Sequence, residues 1–415
     1  MNLDVIDVID LFAGPGGWDE GIRPLGLWPL GIEWDDAAIE TAQAAGHLRY
    51  QADIAQLRPL DFSGARGLIA SPPCQGFSMA GKGRGRKDSE LLLSMLSLVT
   101  DAESLRAAIS LLHDEMTDDR SLLVLEPLRW ALELTPQWLA WEQVPAVLPI
   151  WESCSVILRG AGYSVETRVL NAEQYGVPQT RRRAILVARR DGDARLPEPT
   201  HSRYYSRTPA KLDEGVLPWV SMAQALGSAY EGLAVRSNYG TGGDPKQRGT
   251  RTVNEPSATI TSKAGRNQWV FRNGNQEHSA VRRLDQPAPT IHFAQRQRVV
   301  TWEPVLANAG DPAESAAWVH NRPSPTIVGS FAPDVVAAPG YRKPGYGPWQ
   351  KAVGSVRVTV QEAAVLQSFR ADYPWQGSKT AQYRQVGDAV PPLLARHIVE
   401  TVAVKAKKSD YDLAA

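Results

Sequence analysis

VIDVIDLFAGPGG, residues 5–17, joins an apolar run to a glycine-rich turn. The apolar run predicts a buried strand, and a short helix is expected to follow the turn as far as Leu25. A strand that passes through such a turn into a helix brings backbone close to a ligand at the carboxyl edge of a parallel sheet. This stretch therefore predicts an α/β fold with a ligand site at Gly14 and Gly16.

Strand-like and helix-like patterns alternate through the following residues, which is typical of a parallel sheet covered by helices. Further strands are expected at residues 28–34, 67–70, 138–144, 163–170 and 184–188. Helices are expected from Asp36, as the cap, to Gly46, and at residues 88–116, 147–158, 360–369 and 391–405.

The composition of the chain changes near Asp191. From there to residue 347 it is rich in Pro, Gly, Arg, Ser, Thr and Asn, and a weak repeat occurs as PSATI at 256–260, PAPTI at 287–291 and PSPTI at 323–327. A repeat architecture and three similar proline-started edge strands both account for it. We expect a discontinuous catalytic domain from residues 1–190 and 348–405, a separate β-rich unit from 191–347, and a tail at 406–415.

The composition excludes several classes of protein. Of the 415 residues, 43% are hydrophobic, and 45 basic side chains balance 45 acidic ones, so the chain is not disordered as a whole. No apolar run approaches the ~20 residues that span a bilayer, and the first residues do not resemble a signal peptide. Two cysteines cannot form a disulfide framework or a zinc cluster. We expect a cytoplasmic protein without a bound metal.

The balanced net charge hides an uneven distribution. Residues 1–180 hold 13 basic and 25 acidic side chains, a net charge of −12, whereas residues 181–300 hold 20 and 10, a net charge of +10. A basic middle that follows an acidic front is typical of a segment that binds a polyanion, although chance surface charge gives the same count.

Polar and aromatic side chains stand where the second and third strands are expected to end. Glu33 follows Gly14 by 19 residues, where an acid can bind ribose hydroxyls, and Trp34 offers a surface for a stacked purine. Asp53 can accept a hydrogen bond from an exocyclic amine. The turn is not GxGxxG, so a mononucleoside-like ligand is favoured over a dinucleotide. Taken singly, each residue could instead be a capping acid or a core aromatic.

SPPCQGFS at residues 71–78 places Cys74 on a rigid turn past a strand end, which makes it a candidate nucleophile. Cys154 lies on an amphipathic helix and is expected in the core. GFSMAGK at 76–82 matches a phosphate-binding loop except that Gly83 replaces the Ser or Thr that binds magnesium. We therefore interpret residues 81–87 as a mobile basic loop.

Further along, Glu142 stands at another expected strand end, where it can hold or deliver a proton. QYGVPQTRRR at 174–183 leads into a strand, and alternation sends Arg181 and Arg183 to the same face. Two guanidinium groups there could bind a carbonyl oxygen or a phosphate.

Taken in order, these segments resemble the motifs of the bacterial and phage DNA (cytosine-5)-methyltransferases. The similar segments are DLFAGPGG at 10–17 for the cofactor turn, SPPCQGFS for the nucleophile loop, EQVP at 142–145 where the family usually has ENV, QYGVPQTRRR for the arginine motif, RVTVQE at 357–362 with LQSF at 366–369 for the motif after the recognition domain, and QVGDAVPP at 385–392 for the closing motif. Residues 191–347 fall where the family has its variable target recognition domain.

The resemblance implies a Rossmann-like, S-adenosylmethionine-dependent methyltransferase sheet with an inserted β-rich target recognition domain. It implies double-stranded DNA as the substrate, with a flipped-out cytosine that Cys74 attacks at C6 and Glu142 holds at N3. Arg181 and Arg183 would bind the base, or hold Glu142 and the sugar-phosphate, and C5 would take the methyl group. The residues that it assigns to the cofactor are Phe12, Gly14, Gly16, Glu33, Trp34, Asp53, Ile54, Asp388 and Val390, and it brings residues 388–390 back beside the first turn.

Two positions depart from the family's pattern. Gln143 replaces the usual Asn and keeps the carboxamide on a longer arm, so little effect is expected. Asp388 also replaces an Asn and exchanges a donor for a negative charge near the methionine part of the cofactor, where it could bind the ammonium group.

Three other functions have to be weighed. Cys74, Glu142 and both arginines argue against a catalytically silent DNA-binding relative, and the long insert favours duplex DNA over RNA as the substrate. Gly83 argues against a P-loop nucleotide hydrolase. The resemblance further implies a monomer, and a cognate restriction endonuclease is a candidate functional partner.

Overall fold

The computed structural model describes residues 6–73, 84–113, 115–205, 207–208, 210–227, 233–236, 250–252, 254–257, 259–260, 268–271, 356–357 and 359–403. Cys74 and the rest of its loop as far as residue 83 lie outside this part of the chain, as do the second and third copies of the weak repeat.

Seven strands form the main sheet. They are β1 Val8–Leu11, β2 Pro29–Glu33, β3 Leu48–Gln51, β4 Gly67–Ala70, β5 Trp138–Gln143, β6 Ser164–Asn171 and β7 Arg182–Arg189. Their spatial order is β3-β2-β1-β4-β5-β7-β6. The strands that the hydrophobic pattern predicts are confirmed to within a few residues.

β7 departs from the all-parallel arrangement that the alternating pattern suggests. β1 to β5 pair in parallel, whereas β7 is antiparallel to both β5 and β6. A parallel pair needs a crossover of a dozen or more residues, usually a helix. Only a short 3-10 turn, Ala172–Tyr175, lies within the link between β6 and β7, so the chain reverses direction there.

Helices cover both faces of the sheet. They are α1 Gly17–Ile22, α2 Asp36–Ala44, α3 Arg84–Leu96, α4 Ala102–Leu112, α5 Glu126–Leu134, α6 Leu148–Gly160, α7 Met222–Leu226, α8 Val360–Leu366, α9 Lys379–Asp388 and α10 Pro392–Val402. The larger core lies between one face and α3 to α6, and the second core lies between the other face, α1 and α10. The result is a three-layer mixed α/β fold.

A third apolar cluster joins distant parts of the chain. It contains Met222, Ile260, Phe369, Tyr373 and Trp375 together with residues of α8 and α9. Ile260 belongs to the first copy of the weak repeat, so this copy packs against the segment that returns after residue 359.

The structure corrects several expectations about helices. Asp35, not Asp36, caps α2, because its carboxylate accepts the backbone N–H of Ala38. The stretch 88–116 is two helices, since Asp101 starts α4 with a capping box. Residues 84–87 belong to α3 rather than to a loop, and α5 and α9 were not predicted.

A smaller antiparallel sheet contains β8 Leu233–Arg236, β9 Thr250–Thr252, β10 Gln268–Phe271 and β11 Val356–Arg357, in the order β11-β10-β8-β9. Three strands fall in the region expected to be β-rich, and β11 comes from beyond residue 347. In the described part of the chain, no helix is long and apolar enough to cross a membrane.

Cys154 lies in the larger core, as its position on an amphipathic helix predicts. It is fully buried, and burial raises the pKa of its thiol to about 12. This side chain is therefore a packing residue and not a nucleophile.

Candidate active site

The carboxyl ends of the parallel strands bring the predicted site residues to one edge of the sheet. Leu11 of β1 pairs with Ala70 of β4, and Ala70 pairs in turn with Trp141 of β5. The strand order reverses between β1 and β4, and ligands of open α/β sheets bind in the crevice at such a point. The glycine turn after β1 and residues 71–73 after β4 flank this crevice.

The glycine turn has the backbone that its sequence predicts. Phe12, Gly14 and Gly16 have φ angles of 60°, 55° and 108°, in the left-handed region. Apart from its two chain neighbours, no described residue lies within 4 Å of the position that a Cβ on Gly14 would occupy, so the described part of the chain leaves the turn open on that side. A ligand can therefore approach the backbone at Gly14.

Glu33 is tied to the turn in a way that the sequence did not predict. One carboxylate oxygen accepts the N–H of Gly14 at 2.8 Å, and the other accepts the N–H groups of Trp34 and Asp35 at 2.8 and 3.0 Å. A carboxylate has about four acceptor positions, so capacity for a hydroxyl remains. The indole of Trp34 is 70% exposed beside it, as a stacking surface requires.

Asp53 and Ile54 lie just after β3 and differ in what they can offer. Asp53 is exposed and accepts the N–H of Ala55, which starts a 3-10 turn. The Ile54 side chain is in the larger core, and its carbonyl accepts a hydrogen bond from Arg129 at 3.0 Å. Asp53 can reach a ligand with its side chain, whereas that of Ile54 packs inside the protein.

The closing motif returns to the glycine turn, as the resemblance implied. A Cβ on Gly17 would lie 2.3 Å from the carbonyl oxygen of Val390, so only glycine permits this approach. The side chain of Val390 is buried. Asp388 is accessible to solvent, yet protein surrounds it on most sides, and this loss of hydration raises the pKa of its carboxyl above the ordinary value.

Glu142 and Arg183 form a buried ion pair at the other side of the crevice. The Nε of Arg183 lies 2.5 Å from Oε1 of Glu142, and the two side chains are 13% and 5% exposed. The adjacent strands β5 and β7 bring them together, since Glu142 pairs with Ile185 in the ladder. Arg183 is thus in place to fix the orientation of the carboxyl group.

Arg181 occupies a different environment from Arg183. Its side chain is almost fully buried, and its guanidinium donates to the carbonyl groups of Ile260, Gly387 and Ala389 at 3.0, 2.9 and 3.0 Å. Of the roles expected for Arg181, the structure thus shows neither a hold on Glu142 nor an exposed group for a phosphate. It joins the first repeat copy to the closing motif, because three distant carbonyls converge on one planar group.

The nucleophile loop is anchored at the residues that precede Cys74. The Trp18 indole donates to the Ser71 hydroxyl at 2.9 Å, and the Gln143 amide donates to the carbonyl of Pro72. The longer arm of Gln143, relative to the usual Asn, therefore spans from β5 to this loop. Cys74 itself lies outside the described residues, so its position in the site stays a prediction.

The residues present fit a nucleoside that carries a positively charged amino acid chain. The open turn at Gly14 offers backbone groups, and the exposed indole of Trp34 offers a surface on which a base can stack. Negative charge comes from the accessible carboxyl groups of Asp53 and Asp388. In the described residues, no group of His, Cys, Asp and Glu side chains could hold a metal ion.

Two bacterial methyltransferases are similar to this chain in sequence. The chain is 27% identical over 410 residues to a Type II methyltransferase of Haemophilus parahaemolyticus, M1.HphI. This alignment covers 95% of the present chain and 86% of M1.HphI. It is 25% identical over 430 residues to the Type II methyltransferase M.DdeI of Desulfomicrobium norvegicum, covering 96% and 88%. The crystal structure of the S. pombe Dnmt2 methyltransferase overlays with a TM-score of 0.49 at 15% identity, covering 96% and 98%.

The family model of C-5 cytosine-specific DNA methylases matches residues 6–103 and 110–403, which is most of the chain. The match includes the glycine turn, the nucleophile loop, the Glu142–Arg183 pair and the closing motif. The chain therefore belongs to the C-5 cytosine-specific DNA methylase family.

Proposed function

We propose that this protein methylates C5 of cytosine within one short sequence of double-stranded DNA. The observation that carries the proposal is the buried Glu142–Arg183 pair at the sheet edge that also holds the open glycine turn. A carboxyl group fixed in this way can hold one edge of a flat base.

The chain's own residues divide the work at the base. The Cys74 thiolate forms a bond to C6, and Glu142 places a proton or hydrogen bond on N3, so that negative charge does not build up on the ring. Arg183 holds Glu142 in one orientation. After C5 has gained its substituent, loss of the C5 proton restores the double bond and expels Cys74. The target base must leave the stack, because C5 and C6 are not accessible within the helix.

S-adenosylmethionine supplies the methyl group when it is bound. The residues that would hold it are Phe12, Gly14, Gly16, Glu33, Trp34, Asp53, Ile54, Asp388 and Val390. Among these, Ile54 and Val390 can contribute only backbone or packing, because both side chains are buried. Asp388 offers a carboxylate to the ammonium or sulfonium charge.

The basic stretch from 181 to 300 and the β-rich region 191–347 would read the DNA. A net charge of +10 over residues 181–300 supports contact with phosphates. The names of the relatives, Type II methyltransferases, support a link to restriction and modification. A monomer acting in the cytoplasm on the nucleoid, with a restriction endonuclease as a functional partner, completes the proposal.

Bisulfite sequencing of DNA from cells that express this chain tests the proposal directly. We expect one short sequence motif to be protected from conversion, and we expect a Cys74→Ser variant to protect none, since a hydroxyl is a far weaker nucleophile than a thiolate. The matched control is Cys154→Ser, which alters the buried cysteine and should leave the protected motif unchanged where the protein folds.

Two alternatives give other results in the same experiment. An RNA methyltransferase would leave the DNA unprotected and transfer tritium from labelled S-adenosylmethionine to RNA. A silent DNA-binding relative would transfer tritium to neither nucleic acid. Protection that survives in Cys74→Ser would refute the covalent mechanism.

A further inference from the structure

Charged and polar side chains, most of them buried, lie against the glycine turn 13–17 on the side of the protein interior, and Arg370 at their edge is 40% exposed. We name them the rear network; its members are Asp10, Asp19, Glu20, His47, Arg49, Arg370 and Tyr373. Neither the sequence pattern nor the family motifs assigned a role to Arg49 or Tyr373.

Two members of the rear network bind the backbone of the turn itself. The Nε of Arg49 donates to the carbonyl of Gly14 at 3.3 Å, and the Tyr373 hydroxyl donates to the carbonyl of Pro15. Burial raises the pKa of Tyr373, so this hydroxyl keeps its proton and stays a donor. Consecutive carbonyls of the turn are thus held from the rear.

The space behind Gly16 is also closed. A Cβ at this residue would lie 2.7 Å from the His47 ring and 2.7 Å from the Tyr373 hydroxyl oxygen. At Gly14, by contrast, no described residue beyond its chain neighbours comes within 4 Å of such a Cβ, so the turn is closed at Gly16 and open at Gly14. A ligand that enters from the front therefore meets backbone whose opposite side is already fixed.

Arg49 is itself held rigidly. Two of its nitrogens donate to the two carboxylate oxygens of Asp19 at 3.0 and 2.8 Å, and the side chains are 0% and 2% exposed. This bidentate pair fixes the plane of the guanidinium. Buried as it is, Arg49 has no access to a ligand in the crevice and can act only through the turn.

Hydrogen bonds that hold the turn in this way should increase its affinity for a ligand. Glycine-rich backbone loses more conformational freedom on ordering than any other, and a binding site that is ordered beforehand avoids that loss when its ligand arrives. Three of the five turn residues are glycine. Removing the hydrogen bond of Arg49 or of Tyr373 to the turn should therefore weaken ligand affinity, although neither side chain contacts the ligand.

We propose that Arg49 and Tyr373 are positioning residues for the cofactor, because they hold the carbonyls of Gly14 and Pro15 and so order the turn before it binds. This inference rests on the proposed function, since it assumes that the turn binds S-adenosylmethionine. It adds two residues that lie outside the cofactor set given above.

Tyr373→Phe is the sharpest test, because it removes one hydroxyl and keeps the ring that packs against Phe369 and Trp375. The chain supplies a matched control in Tyr163→Phe, whose buried hydroxyl also donates to a proline carbonyl, that of Pro136, at 2.7 Å. We expect titration calorimetry with S-adenosylmethionine to show a Kd raised about three- to tenfold by Tyr373→Phe, the range of one hydrogen bond. Tyr163→Phe should leave the Kd unchanged.

Steady-state kinetics separates positioning from general damage. In Tyr373→Phe, the KM for the cofactor should rise by the same factor, while kcat at saturating cofactor and the affinity for DNA stay as in the wild type. Arg49→Lys keeps a positive charge beside Asp19 and loses the Nε–H donor to Gly14, so it should show the same split of KM from kcat.

The outcomes are distinguishable. An equal Kd in Tyr373→Phe, Tyr163→Phe and wild type overturns the inference and leaves the proposed function standing. A fall in kcat together with DNA affinity would assign Tyr373 to general stability and overturns it as well. Wild-type protein that binds no S-adenosylmethionine refutes the proposed function, and the inference with it.

Discussion

The two sides of the crevice take their shape from different parts of the chain. At the glycine turn, Gly14 is bound by Glu33 and Arg49, which are 19 and 35 residues away. At the arginine motif, Arg181 binds Ile260, Gly387 and Ala389, which are 79, 206 and 208 residues away. Tyr373 is the distant member on the cofactor side.

The two sides of the site therefore depend on contacts of different sequence separation. Contacts between nearby residues close short loops at little entropic cost, whereas distant contacts have to bring in long intervening segments. On the cofactor side, Glu33 and Arg49 bind the turn from nearby in the chain, and Tyr373 and Val390 then close on it from the distant segment. The catalytic side depends on segments beyond residue 250, so changes on the two sides should give different kinds of defect.

The largest effect is expected on the catalytic side, from Glu142→Gln. This variant keeps the shape of the side chain but cannot deliver a proton to the base, so kcat should fall by about 10²–10⁴-fold. The Kd for S-adenosylmethionine should stay within about twofold of wild type. Glu152→Gln, on an exposed position of α6, is the control. Equal losses of kcat and of cofactor affinity would contradict the separation of the two sides.

Arg181→Met should give the next largest effect, in stability. The variant removes the guanidinium donor from three buried backbone carbonyls, although that of Ala389 still accepts from the Gln367 amide. At about 1–3 kcal/mol for each of the other two, the free energy of unfolding in urea should fall by about 2 kcal/mol or more. Arg106→Met removes an arginine that is 55% exposed and pairs with Glu133, and it should cost below about 0.5 kcal/mol. Similar losses in both variants would show that Arg181 does not join the distant segments.

The last effect concerns Asp10, at the base of the rear network, and is measured only as the pH changes. Its carboxylate oxygens have no hydrogen-bond partner among the described residues, and burial, then the charge of Asp19, raises the pKa of its carboxyl well above the ordinary value. The folded state therefore holds this proton more tightly than the unfolded state. That contribution to stability is complete below pH ~4 and is lost as the pH rises through the folded-state pKa.

Asp10→Asn removes this titration. Between the two pKa values the wild type should lose up to about 1.4 kcal/mol of stability per pH unit relative to the variant. Urea unfolding between pH 4 and 8 measures the difference, with the exposed Asp61→Asn as the control. Parallel curves for Asp10→Asn and wild type would show that Asp10 is charged in the folded protein.

The residues that the sequence identified are those whose signal is local. A few neighbouring positions are enough to recognise a glycine-rich turn, an acid at a strand end or a rigid Pro-Pro segment. The parallel strands then bring these features to one edge of the sheet. Gly14, Glu33 and Glu142 were singled out in this way, whereas Phe12 was named only through the family resemblance. The register between the strands could not be predicted from the sequence, and the structure was needed to show which of these residues lie side by side.

The remainder depended on partners far away in the chain. α9 has a weakly apolar sequence, and its buried residues pack against segments that no local pattern reveals. Arg181 was expected near Glu142 because alternation places it on the same face as Arg183, but its partners come from residues 260, 387 and 389. For Arg49 the alternation is misleading, because the apolar Leu48 and Tyr50 beside it would be expected to face the core, yet both are exposed and the Arg49 side chain is buried.

The close packing of α1 against α10 has a consequence for how a ribosome delivers this protein. A Cβ on Gly21 would lie 2.4 Å from the carbonyl of Pro392, and Trp18 and Ile22 are covered by Leu394 and Ile398. α1 is therefore synthesised long before α10, and its apolar face lacks this cover on the nascent chain meanwhile. A chain that ends before residue 392 would lack this cover and keep the apolar face of α1 exposed, which favours aggregation and removal by cellular quality control.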